Sequence, residues 1–256
     1  MSIRVAVCGA LGRMGKESVR AIQGAKDLEL VAQIDQEPFT EGVLSCYASL
    51  AEAIEATRPD VCVEFTHPTS AVNNALTCLE RGVAVVIGTS GLGESEQAQV
   101  RESALAHKTP ALLVPNFAIG AVLMMRFAEQ AARWMPEATI VELHHPDKAD
   151  APSGTARHTA HRIAAARPDF TPRAVRDDLV VQGALGADTE GVPVHSVRLS
   201  GFVAHQEVIF GGPGETLTIR HDSLDRSSFM PGVLLAVREV RSRPGLTVGL
   251  EALMFN

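Results

Sequence analysis

Residues 3–22, IRVAVCGALGRMGKESVRAI, constrain the fold more than any other stretch, because they run from a short apolar segment through a glycine turn into an amphipathic helical pattern. That order is the first unit of a dinucleotide-binding fold, in which glycines tighten the turn, admit a pyrophosphate to the backbone and let the helix pack on the strand. Gly9, Gly12 and Gly15 stand in GxxGxxG spacing, which is weaker than the usual GxGxxG. A second apolar run, LELVAQID, strengthens it by ending in Asp35, where a carboxylate can accept hydrogen bonds from an adenosine ribose. Gln36 follows at the place where an arginine would hold a 2′-phosphate, and Arg13 in the turn is the nearby cation able to reach one.

The alternation continues. SLAEAIEAT reads as helix, PDVCVEFTHP as strand, PTSAVNNALTCLERG as helix, VAVVIGTSG as strand, ESEQAQVRESALAHK as helix and PALLVPNF as strand. Short apolar strands between helices predict an α/β, Rossmann-like, doubly wound parallel sheet. Ligands of such sheets bind beyond the carboxyl ends of the strands, which points to Phe65-Thr66, Gly88-Thr89-Ser90 and Pro115-Asn116-Phe117. Residues 119–135 have helical apolar spacing, and Met124, Met125, Phe127 and Trp134 read as packing residues.

Residues 139–160, TIVELHHPDKADAPSGTARHTA, concentrate the chemistry. Ile140, Val141 and Leu143 predict a strand running into His144 and His145, which would point to opposite faces. Lys148 follows on a loop, and Ser153 or Thr155 is placed to cap a helix whose first N–H groups would attract a carboxylate or phosphate. Histidine titrates near neutrality and lysine is a compact cation, so the set suits proton delivery to an anionic substrate. Downstream, AVRDDLVVQGALGADTEGVPV reads as a long loop, and VPVHSVRLSG, FVAHQEVIFG and GETLTIRHDS as antiparallel strands leaving one face free. His195, His205 and His221 on these runs read as surface or pairing residues. The terminal RSSFMPGVLLAVREV and GLTVGLEALM read as a helix and a strand that return to the first sheet. The expected division is a dinucleotide-binding domain of residues 1–118 and 224–256, and a substrate-binding and oligomerisation domain of residues 119–223. The latter is an α+β unit with a mixed or antiparallel sheet.

Composition excludes other classes. The net charge of −7 and 4% aromatic content offer neither a phosphate-binding footprint nor base-stacking platforms, so no nucleic-acid partner is expected. No apolar run approaches the roughly 20 residues of a spanning helix, and no signal-peptide pattern opens the chain, so a cytoplasmic protein without a membrane partner is expected. The four cysteines lack CxxC spacing and read as buried free thiols, and no metal-ligand spacing is present.

Six segments together resemble the dihydrodipicolinate reductase family over nearly the whole chain: GALGRMG (9–15), EFT (64–66), IGTSG (87–91), PNFAIGAVL (115–123), ELHHPDKADAPSGTA (142–156) and RSSFMPGVLLA (226–236). The resemblance implies hydride transfer from NADH or NADPH to a cyclic imine dicarboxylate in diaminopimelate and lysine biosynthesis. It implies proton-donor roles for His144 and Lys148, and substrate contacts for His145, Ser153, Gly154 and Thr155. It also implies cofactor contacts for Gly9, Ala10, Leu11, Gly12, Arg13, Met14, Asp35, Gly88, Thr89, Ser90, Val114, Pro115, Asn116 and Phe117, and a homotetramer joined through the second domain's sheet. Two competing readings are a reductase of another small acid with the same two-domain plan, and a catalytically silent NAD(P)H sensor.

Overall fold

A computed structural model describes residues 2–37, 46–171 and 179–255, arranged in two compact units. The first comprises Met1–Ile119 and Phe229–Asn256. It opens with β1 (Ile3–Cys8), α1 (Arg13–Gly24), β2 (Leu28–Ile34), β3 (Cys46–Tyr47) and α2 (Leu50–Thr57). It continues through β4 (Val61–Glu64), α3 (Pro68–Glu80), β5 (Ala84–Ile87), α4 (Glu94–Ala106) and β6 (Ala111–Leu113). The second unit, Gly120–Ser228, contains most of α5 (Ile119–Ala132), then β7 (Glu137–His144), α6 (Gly154–Ala166), β8 (Ala187–Thr189), β9 (Val192–Arg198), β10 (Ala204–Gly212) and β11 (Glu215–Ser223). The chain then returns to the first unit with α7 (Met230–Glu239), β12 (Leu246–Val248) and α8 (Glu251–Met254).

The first sheet is parallel throughout, in the order β12-β6-β5-β4-β1-β2-β3. Strand order reverses between β1 and β4, the place where doubly wound sheets bind their ligands. Val5–Cys8, Val61–Glu64 and Ala84–Ile87 are buried along their full lengths, as expected of strands covered by helices on both faces. Cys8, Cys62 and Cys78 are buried free thiols in this core, whereas Cys46 is half-buried.

The second sheet is mixed, in the order β11-β10-β7-β9-β8. β9 runs parallel to β7 instead of extending an antiparallel run with β10 and β11. The reason is connectivity: α6 lies between β7 and β9 in sequence, and such a crossover is what parallel neighbours require. One face carries Ile140, Val194, Val208 and Phe210, all buried, against which α6 sets Ala156, Thr159, Ala160 and Ile163. Truncating a fully buried phenylalanine such as Phe210 to alanine costs about 3–5 kcal/mol, so this layer fixes the second unit.

Of the residues read as packing, Met124 and Met125 on α5 are buried, but Phe127 on the same helix is 48% and Trp134, just beyond it, 87% exposed in the chain. Helical spacing marks an apolar stripe but not which of its residues become covered. His205 is buried, 7% exposed, with Nδ1 at 2.6 Å from Asp222 Oδ1 while its Nε2 accepts the Val203 N–H, so it pairs across strands and is not a surface residue. The long-loop segment contains β8, and its residues 174–178 lie outside those described.

Candidate active site

In the first unit, the turn after β1 depends on two glycines. Gly9 has φ of +73°, and a Cβ there would stand 2.3 Å from the Phe65 carbonyl oxygen. A Cβ on Gly15 would stand 1.9 Å from the Gly9 carbonyl oxygen, so α1 can seat on the turn only without one. Gly12 is the N-cap and offers no side-chain cap, which leaves the first N–H groups of α1 for an anion. Ala10 is buried, Leu11 and Met14 half-buried, and Arg13 exposed. Asp35, just beyond β2, accepts from the Leu11 N–H at 2.9 Å on one carboxylate oxygen and from the Gln36 N–H at 2.8 Å on the other. The carboxylate thus anchors the glycine turn and keeps lone pairs for ribose hydroxyls. A backbone cradle that a Cβ would fill, a helix start and a fixed carboxylate together fit a dinucleotide.

The other predicted cofactor segments lie beyond β5 and β6 of the same sheet. Thr89 is buried between half-buried Gly88 and exposed Ser90, and Val114 and Phe117 are buried around exposed Pro115. Asn116 Oδ1 accepts the Ala118 N–H at 2.9 Å. Beneath them lies a residue the sequence reading passed over, Glu64, fully buried at the end of β4. It accepts from the Thr66 N–H at 2.9 Å, from the Thr66 hydroxyl, and from the Thr89 hydroxyl at 2.6 Å. Burial pushes its carboxyl up from the ordinary range, against the pull of those hydrogen bonds.

In the second unit, the buried sheet face changes from apolar to charged along its length. Glu142 follows Ile140 on that face of β7 and is fully buried; His144 is the next residue on the same face, with Nδ1 hydrogen-bonded to Glu142 Oε2. Arg198, at the end of β9 beside His144, grips Glu142 with both terminal nitrogens, at 2.9 Å and 3.1 Å. Burial alone would raise the Glu142 carboxyl, but the His144 and Arg198 hydrogen bonds outweigh it and hold the group down at about 2. Arg198 also donates to the Lys148 carbonyl at 3.3 Å and the Asp150 carbonyl at 2.6 Å, tying the lysine loop to the strand that carries His144. Lys148 Nζ stands 2.5 Å from Asp150 Oδ1. Half-buried His145 begins the turn, its carbonyl accepting the Lys148 N–H at 3.2 Å.

Ser153, and not Thr155, is the cap of α6: its buried Oγ accepts the Ala156 N–H at 3.2 Å. Gly154 and Thr155 form the first turn, and beyond the helix's own first turn and Gly154's chain neighbours no described atom lies within 4 Å of where a Gly154 Cβ would be. His144, Lys148 and the α6 start thus belong to one loop-strand-helix cluster. Glu142 and Arg198 were missed because one charged residue in an apolar strand and one 56 positions away give no local pattern. A usable signal was the acidic residue two before His144, which alternation puts on the histidine's face.

Family models for the two halves of dihydrodipicolinate reductase match residues 3–117 and 120–254. The chain belongs to the dihydrodipicolinate reductase family. It is 50% identical over 255 residues to a 4-hydroxy-tetrahydrodipicolinate reductase of Mycobacterium sp. (strain KMS), covering 98% of this chain and 99% of that one. It is 52% identical over 260 residues to one of Nocardia farcinica (strain IFM 10152), covering 98% of each. A solved dipicolinate-bound dihydrodipicolinate reductase from Paenisporosarcina sp. TG-14 superposes with a TM-score of 0.90 at 40% identity, covering 98% of this chain and 99% of that one. The family's reductases draw on NAD(P)H, and the first unit is the nucleotide-binding one.

Proposed function

We propose that this chain reduces 4-hydroxy-tetrahydrodipicolinate to tetrahydrodipicolinate, in diaminopimelate and lysine biosynthesis, with NADH or NADPH as reductant. The observation that carries the reading is the Arg198–Glu142–His144 chain set beside Lys148 and the Ser153-capped helix start. Glu142 is ionised at neutral pH and engages His144 Nδ1, which fixes the ring and leaves Nε2 to hold and pass a proton. Loss of the substrate hydroxyl with an adjacent ring proton as water leaves a conjugated imine that takes up one hydride and one proton; Lys148 shares the delivery of that proton with His144 and adds positive charge for a substrate carboxylate. His145 with the N–H groups and hydroxyl of Ser153, Gly154 and Thr155 orients the substrate's other charged group. The bound nicotinamide supplies the hydride. Gly9 to Met14, Asp35, Gly88 to Ser90 and Val114 to Phe117 hold the dinucleotide.

The test is oxidation of NADH and NADPH followed side by side with enzymatically generated 4-hydroxy-tetrahydrodipicolinate. Turnover with that substrate, and none with sugar or amino-acid substrates, is expected; the reverse would overturn the reading. We further propose a cytoplasmic homotetramer, supported by the sheet face of the second unit opposite α6 and by exposed Trp134. Light scattering that returned the 27.2 kDa monomer mass at micromolar concentration would refute it.

A further inference from the structure

The three side chains around Glu64 account for its burial but not for its place. It stands at the end of β4, at the reversal of strand order, and each of its carboxylate oxygens serves a different loop. Oε1 takes the Thr66 N–H and hydroxyl, with Asn74 Nδ2 at 3.5 Å; Oε2 takes the Thr89 hydroxyl at 2.6 Å. The loop after β4 and the loop after β5 therefore share one anchor. Between Glu64 and Thr66 lies Phe65, which touches the remaining loops. Its carbonyl stands where a Gly9 Cβ would be, its ring stands 2.1 Å from where a Gly88 Cβ would be, and the same ring lies 5.5 Å from that of Phe117. Fixing Thr66 on one side of Phe65 and Thr89 beyond it thus sets four chain segments against one another.

We propose that Glu64 is a positioning residue for dinucleotide binding, whose carboxylate, by accepting hydrogen bonds from Thr66 and Thr89, holds the loops at 65–66 and 88–90 in register with the glycine turn and Phe117. This rests on the reading that those loops hold the cofactor. The role belongs to hydrogen bonding and not to charge, since every partner is neutral: a backbone amide, two hydroxyls and a carboxamide. Glutamine can reproduce that arrangement. Its carbonyl accepts from Thr66 and its amide donates to the Thr89 hydroxyl, which is free to rotate. Aspartate is one methylene too short to serve both loops at once, and alanine serves neither.

The test uses the full chain and two readouts that do not depend on turnover: NADH titration by fluorescence, and hydrogen–deuterium exchange with and without NADH. In the wild type, NADH is expected to slow exchange at 9–14, 88–90 and 114–117. Glu64→Gln is expected to bind NADH within about threefold of wild type, and Glu64→Asp and Glu64→Ala at least about tenfold more weakly. Without NADH, exchange in Glu64→Asp and Glu64→Ala should quicken at 65–67 and 88–91 but not within β1. Should Glu64→Ala fail to fold, Glu64→Asp carries the test. Wild-type affinity and unchanged loops in a folded Glu64→Asp would overturn the proposal, as would Glu64→Gln binding as weakly as Glu64→Asp. A wild type whose loops NADH leaves unprotected would overturn the cofactor-site reading itself, and the proposal with it.

Discussion

Glu64 and Glu142 are both fully buried carboxylates that end or nearly end a central strand, yet their surroundings drive them in opposite directions. Around Glu64 the partners are neutral, desolvation dominates and the carboxyl is raised. Around Glu142 the same desolvation is overcome by a guanidinium and an imidazole, and the carboxyl falls to about 2. A neutral shell makes an acceptor that holds loops. A charged shell makes a permanent anion that can orient a histidine and tether a lysine loop. The difference teaches that burial alone says little about a carboxylate's role; the charge of its donors says most.

The comparison breaks most visibly on removal of each group. Glu142→Ala should cost roughly 3–5 kcal/mol, because Arg198 is left as a largely buried cation without its carboxylate. Glu64→Ala should cost only about 1–3 kcal/mol, because neutral donors lose an acceptor. Urea unfolding that ranked the two the other way would undo the distinction.

Next in size are the groups Glu142 serves. His144→Gln and Lys148→Ala should each lower kcat by about two orders of magnitude, the span of a proton donor, while NADH affinity stays nearly unchanged. A matching loss of cofactor binding in either variant would remove them from the proton-delivery role.

The pH dependence sharpens the contrast because the signs differ. The depressed Glu142 carboxyl contributes stability above its ordinary value of 4.5, lost as pH falls through about 2. The raised Glu64 carboxyl contributes stability below 4.5, lost as pH rises through its elevated value. The Tm deficit of Glu142→Gln should therefore shrink between pH 4.5 and 2, whereas Glu64→Gln should compare better with wild type at pH 7 than at pH 4. Parallel curves for the two variants would contradict this.

The smallest effect concerns cofactor choice. On the proposed cofactor site Asp35 would meet the ribose hydroxyls of NADH favourably and a 2′-phosphate as a like charge, while Arg13 would be the cation able to offset it, so dual use with a moderate NADH preference is expected. Asp35→Ala should weaken NADH more than NADPH, with some loss for both because Asp35 also holds the Leu11 N–H. Arg13→Ala should weaken NADPH more. Equal falls in kcat/KM for both cofactors in both variants would place the discrimination elsewhere.

The elements of the first unit were legible because their signals are local: a glycine turn between strand and helix, apolar runs of strand length, and helical periods between them. The histidine strand and the helix start were legible for the same reason, as ELHHP and PSGT each carry their own punctuation. Arg198 was not, because a salt bridge across 56 residues leaves no periodicity, and the parallel placement of β9 was not, because alternation looks the same in either direction.

The sequence by itself determined that the chain would fold a dinucleotide turn and bring a histidine, a lysine and a capped helix within one short stretch. Those features depend on neighbours a few residues apart, whose geometry the backbone dictates. Only the tertiary structure decided which charges would be buried together: Arg198 with Glu142, and Thr66 with Thr89 around Glu64. Such choices depend on which strands become neighbours, and desolvation then determines whether each carboxylate ends as an anchor or as a permanent anion.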